Sequence, residues 1–257
     1  MSEEKTKVEA KAETITISKN ALWKYSTVIL GIALVLVIAF AILPGKSSTG
    51  AVVGTQPGNN LPTQPAQVVA VDIGNAPIKG DVSSNIFLLE WSDYECPFCQ
   101  RFYQQSLSTV LDEKIQLGFK DFPLSFHQNA DGAANAARCA GEQKKYWEMH
   151  DLLFGQGVEG GISTFKGYAK QIGLDTEKFN TCLDSKKYES KIQEDQTQGS
   201  NIGIQGTPGF VLGTKKGSKV EGRLISGACP ASTFQQAIAA EKAKKDWTVT
   251  NCQFAEF

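Results

Sequence analysis

The sequence predicts an α/β fold that is interrupted by a helical insertion and preceded by a single transmembrane helix. Three observations predict it. One uncharged apolar run lies near the amino terminus, strand patterns flank a long block that carries helical patterns only, and a Cys-X-X-Cys pair sits where a strand meets a helix. At 257 residues the chain can bury a sizeable core without metal or disulfide staples. With 41% hydrophobic and 21% charged residues it is neither a disordered tail nor a multi-span membrane protein.

Lys and Arg number 26 against 27 Asp and Glu, so no global field gathers nucleic acid. Only 2 His are present, which leaves His-based metal catalysis almost without ligands. The 6 Cys form an even number and invite pairing.

Residues 25–44 contain no charge and include the run Val28 to Leu43, long enough to cross a hydrocarbon layer of ~30 Å. Trp23 and Tyr25 sit where an interfacial aromatic belt would. Lys5, Lys7, Lys11, Lys19 and Lys24 precede the span and only Lys46 closely follows it, so residues 1–24 are expected to stay cytoplasmic. A cleaved signal peptide is the rival reading, but Ala39-Phe-Ala41 lies inside the apolar run rather than after it. Residues 45–66, rich in Gly, Pro, Ser, Gln and Asn, read as a flexible tether. Residues 67–257 form the outer domain.

Within that domain Val68–Ile73 alternates as a strand, and Ile86–Trp91 is nearly continuous in apolar residues, which suits a strand buried on both faces. A helix pattern follows, with Phe102/Tyr103, Ser106/Leu107 and Val110/Leu111 on one stripe and Pro97 in its first position. Ile115, Leu117 and Phe119 alternate as a further strand. Residues 128–204 then carry helical stretches alone: Ala130–Ala140, Tyr146–Phe154, Ser163–Ile172, Thr176–Leu183 and Tyr188–Ile204. Strands resume at Gly209–Gly213 and Lys219–Ser226, turned by Gly217 and Ser218. A final helix runs from Pro230 to about Lys245.

Cys96 stands at the amino end of a helix, where unpaired N–H groups and the helix dipole favour a thiolate, and is the predicted nucleophile. Cys99, one turn on, can close a disulfide with it or resolve a mixed disulfide. Zinc would need a second Cys pair or nearby His, and Cys139, Cys182, Cys229 and Cys252 form no further Cys-X-X-Cys. Glu90 interrupts the apolar strand and, if buried, has a carboxyl raised by desolvation; its other reading is a strand residue that reaches solvent. Glu95 reads as a solvated charge, His150 as a helix-face residue, and Trp147 and the aromatic stripe as core. No chemistry attaches to His127.

The segments Phe87-Leu-Leu-Glu-Trp-Ser-Asp-Tyr-Glu-Cys-Pro-Phe-Cys-Gln-Arg-Phe102, Phe122-Pro-Leu-Ser-Phe-His-Gln-Asn-Ala130 and Gly206-Thr-Pro-Gly-Phe210 resemble the DsbA-like thiol-disulfide oxidoreductases over about residues 68–245. The resemblance implies a thioredoxin fold with a helical insertion, and an extracytoplasmic enzyme that makes, breaks or shuffles disulfides in exported proteins. It implies Cys96 as the attacking cysteine, Cys99 as the resolving one, and Thr207 and a cis Pro208 facing them as the substrate-binding pair. Glu90 matches the family's buried acid, a proton acceptor for Cys99 through water. The inner dipeptide is Pro-Phe, whereas the family's strongest oxidants often carry Pro-His.

Six cysteines allow 15 connectivities. Locality and the resemblance favour Cys139 with Cys182 and Cys229 with Cys252 as structural bridges, with free buried thiols as the alternative. Phe254 and Phe257 would lie near the second bridge.

The expected partners are exported proteins with free thiols and a membrane thiol oxidase that restores the Cys96–Cys99 disulfide, with no cofactor and no nucleic acid. The expected place is the cell membrane, single-pass, catalytic domain outside. The alternatives are a disulfide isomerase or reductase, and a thioredoxin-like binding module whose Cys pair is merely structural.

Overall fold

The computed structural model describes residues 68–249 and Cys252. The predicted cytoplasmic segment, span and linker, and also Phe254 and Phe257, lie outside the described residues. Among those described, no helix is long and apolar enough to cross a membrane.

Six strands form one sheet in the order β1-β6-β5-β3-β4-β2. They are β1 Val68–Asp72, β2 Ile78–Gly80, β3 Ile86–Ser92, β4 Gln116–Asp121, β5 Gly209–Lys216 and β6 Lys219–Ser226. Only β3 and β4 run parallel. All the other pairings are antiparallel. Two helices, α1 Pro97–Gln105 and α2 Leu107–Asp112, connect the parallel pair. Between β4 and β5 lie α3 Ala130–Gly141, α4 Tyr146–Gln156, α5 Ile162–Gln171, α6 Thr176–Asp184 and α7 Glu189–Asn201, and α8 Ala231–Lys242 closes the described chain.

The apolar run in β3 is explained by its place between β5 and β4, with every residue buried. Ile86 and Leu88 pack with Phe102, Val110, Phe210 and Phe234 beneath α1, α2 and α8. Phe87, Leu89 and Trp91 pack on the other face with Val71, Val211 and Ile204. By alternation Glu90 therefore lies on the Leu88 face, level with Phe119 of β4 and Phe210 of β5.

Two elements depart from the sequence reading. The helix expected to run on from Cys96 is broken at Ser106, whose backbone leaves helical geometry (φ −120°, ψ −35°). Its hydroxyl donates to the Cys229 carbonyl at 3.2 Å, a competing partner of the kind that makes Ser a poor interior helix residue. Strand β2 was not legible, because three residues are too few to display alternation.

The helical block is tied to the sheet by buried charge. On β4, Lys120 donates to Asp195 of α7 at 3.1 Å. Arg138 of α3 bridges Asp121 at 2.6 Å and Asp195 at 2.5 Å. Lys191 reaches Asp195 from the same helix at 3.2 Å. Burial pushes the Asp121 carboxyl up to about 6 against the pull of Arg138. The same helix lies tight against β3: the Trp91 indole donates to the Asp195 carbonyl at 3.0 Å, and a Cβ at Gly199 would stand 2.7 Å from the Trp91 ring. Within the block Cys139 of α3 and Cys182 of α6 are joined, S–S 2.03 Å. Cys229 is joined to Cys252 beside Trp247 and Ile238.

Removing Asp195 leaves Lys120 and Arg138 with Asp121 alone, while Lys191 keeps Glu194 at 3.0 Å. Asp195→Ala is expected to cost about 3–5 kcal/mol, the usual result of breaking one side of a buried ion pair. Lys166→Ala, which breaks a partly exposed pair with Asp184, is expected to cost less than about 1 kcal/mol. Urea midpoints at pH 7 measure both, and equal losses would contradict this account of the cluster.

Candidate active site

The chain leaves β3 at Ser92 and enters α1 at Cys96 within four residues, all shielded from solvent except the half-buried Glu95. Cys96 is the N-cap of α1 in an extended conformation, with Pro97 in the first turn. No side chain caps that end, so the helix N–H groups face the Cys96 sulfur. Both motif cysteines are free and buried. The Cys96 thiol donates to the Thr207 carbonyl at 3.4 Å. The Thr207–Pro208 peptide is cis, and the buried Thr207 hydroxyl has no hydrogen-bond partner within 3.5 Å.

The two sulfurs are driven apart in acidity. A hydrogen bond from Cys99, helped by Thr207 and by the N–H groups of Phe98 and Cys99, outweighs burial and draws the Cys96 thiol down to about 6. Burial first, and then the neighbouring Cys96, push the Cys99 thiol well above its ordinary value. Cys96 is therefore the thiolate at neutral pH and Cys99 the thiol.

Glu90 is 2% exposed, and desolvation raises its carboxyl to about 8. That removes the solvent-facing alternative. Ser92, two residues along the same strand face, biases both Glu90 and Cys99 toward the charged form. Its buried hydroxyl makes no close hydrogen bond and lies between the two acids.

Glu95 is not a solvated charge. It is half-buried and accepts the Asn129 N–H at 2.6 Å, which fastens the start of α3 to the Cys loop. His150 lies on a face of α4 that is turned inward. It is 1% exposed inside a ring cluster with Tyr94, Phe119 and Phe154, and burial holds it below its ordinary value. Trp147 is only partly buried and donates to the Ile78 carbonyl at 3.1 Å.

Asp93 and His127 were given no role by sequence and are central here. Asp93 is 1% exposed, and His127 approaches its carboxylate at 2.7 Å. The two residues are 34 positions apart, and no local spacing signals that they meet. His127 lines an open groove together with Cys96, Phe98, Leu124, Phe126 and Thr207. Phe126 is 73% exposed and Phe98 44%, so the groove offers apolar surface beside the reactive sulfur.

The thioredoxin family model matches residues 74–244. A thioredoxin-like oxidoreductase from Silicibacter pomeroyi superposes with a TM-score of 0.55 at 26% identity, over 66% of this chain and 94% of that one. DsbA2 of Pseudomonas aeruginosa gives 0.52 at 25% identity, over 63% and 91%. The Na(+)/H(+) antiporter NhaA 1 of Salinispora arenicola is 30% identical over 151 residues, and the chain spans about a quarter of the length of such curated relatives. By fold, by the Cys96–Cys99 pair and by the extent of the match, the chain belongs to the thioredoxin family.

Proposed function

We propose that the chain is a protein thiol-disulfide oxidoreductase that introduces disulfides into exported proteins, held at the outer face of the cell membrane by residues 25–44. The observation that carries the chemistry is the opposed acidity of the two sulfurs at one helix end. A structural Cys pair in a binding module has no use for that opposition. The likeness to an oxidoreductase and to DsbA2 supports the same reading. The membrane placement rests on the apolar run and its lysine asymmetry.

Starting from the Cys96–Cys99 disulfide, a substrate sulfur attacks Cys96. The S–S bond breaks, and Cys99 leaves with the electron pair and takes up a proton. A second substrate thiolate then attacks the first substrate sulfur of the mixed disulfide and releases Cys96 as its thiolate. The substrate has lost two electrons and the pair has gained them. A membrane thiol oxidase removes them to begin the next cycle. Good leaving groups have low pKa, which suits Cys96 to the release step.

In the reduced protein, iodoacetamide is expected to label Cys96 with half-maximal rate near pH 6 while Cys99 stays unlabelled at neutral pH. Equal labelling would remove the nucleophile assignment. Cys99→Ser should accumulate mixed disulfides with exported proteins through Cys96, and a variant that captures none would argue for the binding-module alternative. Equilibration with glutathione separates an oxidase from an isomerase or reductase.

Glu90 gives a pH prediction with a defined sign. Its folded value of about 8 lies above the ordinary 4.5, so the folded protein holds a proton that the unfolded chain releases. Stability from this group is complete below pH 4.5 and falls as pH rises to about 8. In the oxidised protein Glu90→Gln should therefore gain stability over wild type at pH 9 relative to pH 4, by on the order of a few kcal/mol at 1.36 kcal/mol per unit. A difference in urea midpoint that does not change with pH would contradict it.

For topology, protease added to spheroplasts is expected to cut within residues 45–66 and release the catalytic domain. A linker protected from protease would count against the outward orientation.

A further inference from the structure

The carboxylate of Asp93 has all its near partners inside the Cys loop and the segment that leads to α3. Oδ1 accepts the Glu95 N–H at 2.7 Å; Oδ2 accepts the Leu124 N–H at 2.8 Å and meets His127 Nδ1 at 2.7 Å. A carboxylate at Nδ1 fixes the proton on that nitrogen and leaves the lone pair on Nε2. The His127 side chain is 15% exposed, and it lines the groove that also contains Cys96. An imidazole oriented by Asp93, with its free lone pair on Nε2, thus stands on the wall along which a substrate sulfur must approach.

We infer that His127 is the general base for the incoming substrate thiol, and that Asp93 is its positioning residue. This inference rests on the thiol-exchange reading above. The substrate S–H bond breaks, its proton passes to His127 Nε2, and its electron pair forms the new bond to Cys96 Sγ. The Cys96–Cys99 bond breaks and its pair leaves on Cys99 Sγ, so the substrate sulfur is oxidised as Cys99 is reduced. The ring faces Asp93 and shares its groove with Cys96; Glu95, whose N–H Asp93 accepts, and Asp131 on α3 are close to Asp93, and Arg101 stacks on Phe98.

The size of the effect is bounded. A free thiol with its usual value of ~8.5 is only about 3% thiolate at pH 7, so a base at the groove can gain at most roughly thirtyfold there and nothing once the thiol is ionised. The test is the rate at which the oxidised full chain, in mild detergent, oxidises a reduced two-cysteine peptide between pH 6 and 9.5, for wild type, His127→Gln and Asp93→Asn.

His127→Gln is expected to be about tenfold slower at pH 7 and to match wild type at pH 9.5, with the Cys96 thiolate midpoint unmoved. Asp93→Asn, where its circular dichroism is native, is expected to follow the same profile; His127→Gln carries the test alone if it is not. A loss that is the same at every pH would mean a structural role and overturn the inference. So would a shift of the Cys96 midpoint large enough to account for the loss, since His127 would then act on Cys96. If wild type fails to oxidise the peptide even at pH 9.5, it is the exchange reading that has failed.

Discussion

The constraint on which the active end of the molecule depends is the turn from a fully buried strand into a helix within four residues. Buried backbone polar groups must find partners, and this turn has little room for its own. Asp93 resolves the problem with one side chain. Its carboxylate takes the N–H of Glu95 and of Leu124, and its own N–H points at the Cys99 sulfur at 3.5 Å. Phe122 N–H donates to the Ser92 carbonyl at 2.8 Å. The loop that presents Cys96 and the segment that follows β4 are thereby one unit, and the groove wall moves with the nucleophile.

A second tie operates deeper down, through the Lys120, Asp121, Arg138 and Asp195 cluster. Buried ion pairs gain little net stability over apolar packing, but they tolerate few arrangements. Here the cluster joins β4, α3 and α7, so the insertion has one seat on the sheet. Since α3 begins where Glu95 holds Asn129, that seat also sets the wall opposite Cys96. Tyr94, two residues before Cys96, meets Tyr146 of α4 at 3.2 Å and stacks on Phe119 at 5.3 Å, which adds an aromatic contact between the loop and the insertion.

Local chemistry was legible in the sequence and long-range pairing was not. The continuous apolar run of β3, the helical block and the Gly217-Ser218 turn follow from periodicity and turn preference, and they lie where that reading puts them. Cys96 and Cys99 declare themselves by spacing. Asp93 and His127 do not: each is an ordinary polar residue until the fold brings positions 34 apart within 2.7 Å. The misreading of Glu95 has the same origin, because charge suggests solvent where the fold supplies a backbone N–H. Ser106 shows the converse, a helix pattern overruled by a distant carbonyl.

Proton count links this architecture to the direction of electron flow. Reduction of the pair adds two electrons. With Cys96 drawn down to about 6 and Cys99 pushed up, the reduced pair at neutral pH binds a single proton, on Cys99. Stabilising the Cys96 thiolate favours the reduced pair, and so makes the disulfide the stronger oxidant. A buried Glu90, neutral up to about 8, adds no negative charge to the strand that leads to the pair. An ionised acid on that strand would oppose a thiolate at its end, and the desolvation that keeps the Glu90 proton removes that opposition. The burial of β3 on both faces, first visible as an apolar run with one acid in it, thus acts on the redox balance of the two sulfurs through the charge state of that acid.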